Sequence, residues 1–273
     1  MRTERTETEN SVIAMNEKSL GFIGGGRITL ILLSALKKCG SLPAQVVVSD
    51  TNADILGKLQ QRFPGVRTIA GGNVVAAQQD IVFIALHPPA AGEVLKSIKD
   101  TIRKDAVVVS LMPKLTAAQI SGMLGGFSRI IRIIPNAPAI IGNGFNPVVY
   151  PAGFLPQEKK AMMQFFSAFG TCPEVAEGKL EAYAVITAMG PTYLWFQLYE
   201  LEALARSFGM TQTEAALAVR QMAEGTLQTM EGSGLAPEGV MDLVPVKPLG
   251  TDEAAILAAY REKLPGLYAK LKN

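Results

Sequence analysis

The stretch LGFIGGGRITLILLSALKK, residues 20–38, decides the fold. Its opening LGFI predicts a short buried strand, and the apolar spacing after Arg27 predicts a helix. The glycines between them lie where a strand must turn sharply into a helix N-terminus, whose free N–H groups and dipole attract phosphate. We therefore interpret this turn as the pyrophosphate site of a dinucleotide-binding domain. The residues assigned to it are Gly24, Gly25, Gly26, Arg27 and Ile28.

Downstream of this turn, short β-branched runs alternate with helical patterns as far as about Ala176, which is typical of βαβ units and a mainly parallel sheet. Several of these runs are apolar throughout, as expected for strands that are covered on both faces. The sequence thus predicts an α/β fold with an N-terminal Rossmann-type domain. The predicted strands are 20–23, 45–49, 66–69, 80–86, 106–111, 129–134, 147–150 and 173–177.

After Gly178 the strand-like runs stop, and segments rich in Ala, Leu, Glu, Gln and Met predict a smaller all-α domain. Its predicted helices are 179–208, broken or kinked at Gly190-Pro191, then 211–231, 236–243 and 251–271. We predict three regions: a disordered extension over 1–14, a dinucleotide-binding domain over 15–177 and a helical domain over 178–273. Met15 is a second candidate start of translation.

Composition excludes several classes of function. Lys and Arg number 26 against 24 Asp and Glu, a formal net charge of +2 without a basic block, so neither nucleic acid nor a membrane surface is an expected partner. The single histidine, His87, and two cysteines, Cys39 and Cys172, are too few for a zinc site or a disulfide framework. The longest near-apolar stretch, 28–36, is about half the length of a membrane span. A cytoplasmic protein without a metal is the expectation.

Three further positions are candidate cofactor contacts. Asp50 ends the second predicted strand, where its carboxylate can accept hydrogen bonds from the adenosine ribose and repel a 2′-phosphate, so NAD(H) is favoured and NADP(H) is possible through Arg27. His87-Pro88 ends the strand DIVFIAL; His87 either bonds the cofactor ribose or lies in a plain loop. Asn136, between two prolines, either binds the nicotinamide carboxamide or ribose or forms a rigid turn.

Taken in order, four segments make the chain resemble pyrroline-5-carboxylate reductase, the last enzyme of proline synthesis, from Leu20 to the C-terminus. They are GFIGGGRI at 21–28, DIVFIALHP at 80–88, RIIPNAPAIIGNG at 132–144 and AMGPTYLWF at 188–196. The resemblance implies an NAD(P)-dependent oxidoreductase that transfers hydride to the C=N carbon of a small cyclic imino acid. It also implies a homodimer, or a higher oligomer of dimers, that interleaves its helical domains and forms the substrate pocket between them.

The segment PLGTD at 248–252 aligns with the family's Pro-Gly-Gly-Thr-Thr loop, which holds the substrate. The resemblance makes Thr251, assisted by the backbone of Gly250, the candidate catalytic position, and it places Met189, Gly190 and Asp252 at the substrate. A protonated imine is already electrophilic, so positioning can suffice without a strong general acid.

The departures from the family concern the substrate. Leu249 and Asp252 replace a glycine and a threonine, His87 stands where lysine is usual, and MPK at 112–114 stands where Ala-Ala-Gly is usual. A carboxylate at Asp252 would repel a bound carboxylate. Two alternatives therefore stay open: a related oxidoreductase acting on a different imine or carbonyl, and a non-catalytic dimer that binds the nucleotide.

Overall fold

A computed structural model of the chain describes residues 17–272. The predicted extension over 1–14 and the candidate start at Met15 lie outside the described residues. Within 17–272, none of the helices combines the length and the apolar character that crossing a membrane requires. The chain divides into two compact units, which are described separately below.

The first unit is built on a seven-stranded sheet with the order β3-β2-β1-β4-β5-β6-β8. Strands β1 to β6 are parallel, and β8 pairs antiparallel with β6. The predicted α/β fold with an interior, mainly parallel sheet is confirmed. The strands are β1 Leu20–Ile23, β2 Val46–Asp50, β3 Arg67–Ala70, β4 Ile81–Ile84, β5 Val107–Ser110, β6 Ile130–Ile133, β7 Gly144–Phe145, β8 Val148–Val149 and β9 Gly170–Thr171.

Helices cover both faces of this sheet, which is why its central strands contain almost only apolar residues. Two apolar core clusters result, and Phe22 of β1 stacks on Phe83 of β4 with ring centroids 4.6 Å apart. The helices of this unit are α1 Arg27–Lys38, α2 Ala53–Arg62, α3 Asn73–Ala77, α4 Pro88–Ile98, α5 Ala117–Met123, α6 Pro156–Phe166 and α7 Leu180–Tyr183.

The predicted strand over 173–177 is wrong. Val148 bonds the backbone on either side of Glu174 in a single parallel bridge, and the chain then enters a 3₁₀ turn at Glu177–Lys179. Pro173 has no N–H to donate to a longer ladder, and Glu177 is held instead by side-chain contacts described below. The small sheet forms earlier, where β9 pairs with β7.

The second unit, Met189–Leu267, is helical, as predicted, and the first unit runs to Ala188 and includes the chain again from Tyr268. The boundary between the two units therefore lies after Ala188, whereas the sequence predicted it after residue 177. The long predicted helix over 179–208 is interrupted: a π-helical turn at Ala184–Ala188 follows α7, and α8 begins at Pro191. The remaining helices are α8 Pro191–Ser207, α9 Gln212–Gly232, α10 Pro237–Asp242 and α11 Glu253–Lys272.

Candidate nucleotide site and substrate loop

The glycine turn between β1 and α1 has a backbone that only glycine adopts without strain at its first position. Gly24 has φ +104°, and a Cβ there would lie 2.3 Å from the carbonyl oxygen of Ala85, beyond the end of β4. Its N–H donates to the carbonyl of Ser49, 2.8 Å away, which ties the turn to the neighbouring strand β2. Gly24 is therefore required by the fold of the sheet edge itself.

Gly26, at the other end of this turn, faces open space: a Cβ built there meets no atom within 4 Å. It is the residue before α1, no side chain caps the helix, and the first turn of α1 contains no acidic residue. Arg27 is exposed and forms no ion pair among residues 17–272. An uncapped helix N-terminus with free space and a cation beside it fits a pyrophosphate.

Thr29 lies in the first turn of α1, directly after the glycine turn. Its side chain is fully buried, and its hydroxyl donates to the carbonyl oxygen of Gly24 at 2.6 Å. The threonine therefore stabilises the glycine turn by this hydrogen bond, and its buried side chain packs between helix and strand. Ile28, beside it, packs against the apolar core, so only its backbone is available to the nucleotide.

Asp50 is brought directly to this turn. One carboxylate oxygen, Oδ2, accepts from the N–H of Gly25 at 2.7 Å, and Oδ1 accepts from the N–H of Asn52 at 2.8 Å. Gly25 is buried, and a Cβ there would lie within 3.4 Å of Leu59, Ile55 and the Cβ of Asp50. The carboxylate is therefore fixed beside the glycine turn, at the end of β2, where a ribose bound at this edge would meet it.

The carboxyl end of β4 adjoins that of β1, because Ala85 donates its N–H to the carbonyl of Ile23 at 2.8 Å. His87 is exposed and precedes α4, whose first residue is Pro88. Within the described part of the chain its imidazole makes no hydrogen bond, while its carbonyl accepts from Ala90. The structure thus leaves both sequence interpretations of His87 in place, as a cofactor contact or as a loop residue.

Asn136 is largely buried and its amide braces the chain. Its Oδ1 accepts from the N–H of Phe145 at 3.1 Å, and its Nδ2 donates to the carbonyl of Thr187 at 3.3 Å. These bonds connect the loop after β6 to β7 and to the π-helical turn. These contacts order the turn, as one of the two sequence interpretations expects, and the direct cofactor contact remains a prediction.

In the second unit, the segment 248–252 is exposed throughout. Gly250 donates its N–H to the carbonyl of Lys247, and the hydroxyl of Thr251 donates to Oδ2 of Asp252 at 3.2 Å. Asp252 precedes α11, and its carbonyl accepts the first helical bond from Ile256. The hydroxyl that the family resemblance assigns to the substrate is therefore bonded to a carboxylate of the chain itself.

Met189 and Gly190, the other predicted substrate positions, form the break between the π-helical turn and α8. The carbonyl of Met189 accepts from both the N–H and the hydroxyl of Thr192, at 2.9 and 2.6 Å. The carbonyl of Gly190 accepts from Tyr193. Both residues are half-buried, so the backbone at this break is ordered by local bonds.

Sequence reasoning missed one buried ionic cluster in the first unit. Arg132 of β6 is 1% exposed and pairs with Glu177 and Glu181, each at 3.0 Å. Glu177 also accepts from the N–H of Ala117 at 2.7 Å, at the start of α5. An arginine inside the otherwise apolar run RIIRII was the available signal, since a buried charge requires a partner.

Comparisons with known proteins agree with this architecture along the chain. A family model described as "NADP oxidoreductase coenzyme F420-dependent" matches residues 19–114, and one described as "Pyrroline-5-carboxylate reductase dimerisation" matches residues 177–272. A pyrroline-5-carboxylate reductase of Escherichia coli (strain K12) is 29% identical over 241 residues, 88% of this chain and 89% of the relative. One of Methanosarcina acetivorans is 26% identical over 255 residues, covering 90% and 94% of the two chains.

Among solved structures, the Plasmodium falciparum pyrroline carboxylate reductase with NADP bound superposes with a TM-score of 0.79 at 19% identity. The match covers 94% of this chain and 98% of that one. At this identity the superposition establishes the shared fold.

Proposed function

Because this chain belongs to the pyrroline-5-carboxylate reductase family, we propose that it reduces pyrroline-5-carboxylate, a small cyclic imino acid, with a reduced nicotinamide dinucleotide. One observation carries the proposal: an uncapped helix N-terminus with open space above Gly26 follows β1, in a chain whose relatives match over both units. The bound cofactor would supply hydride to the imine carbon. The chain's own part is to bind, orient and exclude water.

The first unit contributes the nucleotide contacts. The N–H groups at the start of α1 would hold the pyrophosphate, and Arg27 adds a cation at the same place. In the second unit, Thr251 and the backbone of Gly250 are the proposed substrate contacts. No residue is required as a strong acid, because an iminium ion accepts hydride once it is held in position.

A direct test measures the loss of absorbance of the reduced nicotinamide with pyrroline-5-carboxylate, together with a fluorescence titration of NADH. Turnover supports the reductase. Tight NADH binding without turnover of any small imine would instead favour a protein that only binds the nucleotide. If the protein neither binds NADH nor turns over pyrroline-5-carboxylate, the proposal is refuted.

We propose NADH as the preferred cofactor, and the support is the fixed carboxylate of Asp50 next to the glycine turn. A 2′-phosphate on the adenosine ribose would meet this negative charge. Replacing Asp50 by Ser removes the charge and should lower the ratio of NADH to NADPH affinity about tenfold or more. The Asp54→Ser variant removes an exposed carboxylate of α2 nearby and serves as the control. A parent that binds NADPH more tightly would overturn the preference.

A second candidate is a reductase of a related imine. It is favoured by Asp252, whose carboxylate accepts a hydrogen bond from the Thr251 hydroxyl. No ion pair joins Lys247 to Asp252 within residues 17–272, so that lysine does not neutralise it. A substrate with an amine, or without a carboxylate, would suit this loop better than pyrroline-5-carboxylate. Comparing turnover of pyrroline-5-carboxylate with that of 1-pyrroline, which lacks the carboxylate, separates the two candidates.

We further propose a homodimer formed through the helical unit. Helix α8 has no buried residue and exposes Leu194, Trp195, Phe196 and Tyr199. Several large exposed apolar side chains on one helix are typical of a protein interface. The match of residues 177–272 to a dimerisation family supports the same assembly. Light scattering at micromolar concentration should give twice the chain mass of 29.1 kDa.

A further inference from the structure

The proposed function makes no use of the buried ionic cluster of the first unit. Arg132 lies near the carboxyl end of β6, and its two terminal nitrogens each pair with a glutamate at 3.0 Å. Glu177 belongs to the 3₁₀ turn before α7, and Glu181 belongs to α7 itself. A single guanidinium therefore holds two carboxylates at the carboxyl edge of the sheet, the edge where ligands of open α/β sheets bind.

This cluster is a poor source of stability. Among residues 17–272, Nε of Arg132 is buried and makes no hydrogen bond. Burying ions costs free energy that their attraction often fails to recover, and apolar side chains of similar volume frequently stabilise a protein as well or better. The neighbours of Arg132 on β6, Ile131 and Ile133, belong to the apolar core. Stability alone therefore does not explain a charge at this place.

The cluster holds both ends of the loop 111–116, which connects β5 to α5. At the start of the loop, Nη2 of Arg132 lies 3.5 Å from the carbonyl oxygen of Met112. At its end, the carboxylate of Glu177 accepts the N–H of Ala117 at 2.7 Å. The loop is thereby fixed to β6 on one side and to the 3₁₀ turn Glu177–Lys179 on the other.

Between these two points the loop has a strained backbone. Lys114 has φ +76°, and it is the only residue other than glycine with a positive φ among residues 17–272. The N–H of Leu115 donates to the carbonyl of Pro113 at 3.0 Å, which closes a tight turn around Lys114. Backbone strain of this kind persists only where the surrounding structure imposes it. The ionic cluster supplies that restraint, so the conformation of the loop depends on it.

The strand order gives the place of the loop relative to the proposed nucleotide site. The glycine turn follows β1, Asp50 ends β2 on one side, and β4 and then β5 lie on the other side. Neighbouring strands are about 4.8 Å apart, so β5 lies about 10 Å from β1. With the pyrophosphate at α1 and the adenosine ribose at Asp50, the nicotinamide half extends toward β4 and β5. All of these elements belong to the first unit.

We propose that Arg132 and Glu177 are positioning residues that hold the loop 111–116 against the nicotinamide half of the cofactor. This inference rests on the proposed function, because it requires that the first unit bind the dinucleotide. Neither side chain contacts the cofactor: both fix the backbone of the loop, and the loop forms a wall beside the nicotinamide ring. A wall that is rigid before binding costs less conformational entropy when the ring binds, so NADH affinity depends on the cluster.

The test compares the affinities of NADH and ADP-ribose, which has every part of the dinucleotide except the nicotinamide ring. In the full-length Glu177→Ala variant, NADH affinity should fall about tenfold while ADP-ribose affinity stays constant. Glu177 is 36% exposed, and Arg132 keeps Glu181 as its partner, so this variant should fold. The emission of bound NADH should also move toward that of free NADH, because it reports the surroundings of the ring.

Three further variants separate positioning from a general effect on folding. Glu177→Gln keeps an oxygen that can accept from Ala117 and should stay within about threefold of the parent in NADH affinity. Glu177→Asp keeps the charge but is too short for both contacts, so it should weaken NADH binding and replaces the alanine variant if that one does not fold. Glu174→Ala is the matched control, because Glu174 pairs with Lys159 and has no contact with the loop.

The outcomes distinguish this inference from the proposed function. Equal losses of NADH and ADP-ribose affinity in Glu177→Ala, or an unchanged NADH affinity, would overturn the inference and leave nucleotide binding standing. The same selective loss in Glu174→Ala would also overturn it. A parent that binds neither compound would overturn the proposed function, and the inference with it.

Discussion

The glycine turn of the first unit and the exposed segment 248–252 of the second differ in what determines their sequence. At Gly24 the neighbouring backbone leaves no room for any side chain, and the N–H of Gly25 donates a hydrogen bond to the carboxylate of Asp50. Every side chain of 248–252 is exposed, and its bonds are local. The first segment is constrained by the fold, whereas the second is constrained only by whatever it binds. Substrate preference can therefore change at the second without cost to the first.

The largest effect is expected at Gly24. In the Gly24→Ala variant the Cβ lies 2.3 Å from a backbone oxygen and φ stays positive, so the free energy of unfolding should fall by about 3 kcal/mol or more. Urea denaturation of this variant and of Gly26→Ala, whose Cβ meets open space, provides the matched pair. A Gly26→Ala variant as unstable as Gly24→Ala would contradict the division of roles within the turn.

The next largest effect is expected at Gly26, where one substitution should change NADH affinity and the free energy of unfolding in different ways. In the Gly26→Asp variant a carboxylate stands where the pyrophosphate would bind, and NADH affinity should fall about 100-fold or more. The same carboxylate is a good cap for α1, so the free energy of unfolding should stay constant or rise by up to about 1 kcal/mol. NADH titration and urea denaturation are both required. Parent-like affinity for NADH would remove the turn from the site.

The smallest change in stability is expected in the exposed segment. Replacing Asp252 by Thr should alter the free energy of unfolding by no more than about 0.5 kcal/mol, as is usual at exposed positions. Its effect is on catalysis: the hydroxyl of Thr251 is freed, and kcat/KM for pyrroline-5-carboxylate should stay constant or rise. A rise in this value, with turnover of another imine lost, would identify Asp252 as a recognition group for that other substrate, whereas a fall would contradict the prediction.

The parts of the molecule that sequence reasoning predicted are those where local pattern and tertiary structure agree. The strands β1, β2, β4 and β5 are mostly apolar and buried, and the break at Gly190-Pro191 follows from residues that disfavour a continuous helix. The hydrogen bond that the N–H of Gly25 donates to Asp50 was not predictable in detail, although the position of Asp50 at the end of β2 was. In each case a short segment contained the whole signal.

The misses depend on contacts between distant segments. The segment 173–177 has the composition of a strand, yet Glu177 is held by Arg132 and the N–H of Ala117, which are far away in sequence. The amide of Asn136, which remains a predicted cofactor contact, also bonds Phe145 and Thr187, and no local pattern indicated these two partners. Pairings of this kind are decided only when the chain is folded, so no local pattern reveals them.

The chain's single tryptophan, Trp195, lies 44% exposed on helix α8. An indole moved from water into apolar surroundings emits at a shorter wavelength, so this residue is a built-in optical reporter of assembly. Diluting the protein through the dissociation range of the proposed dimer should shift its emission to longer wavelength, and the midpoint should depend on protein concentration. The same side chain that marks the apolar face of α8 thus allows association to be followed without a label.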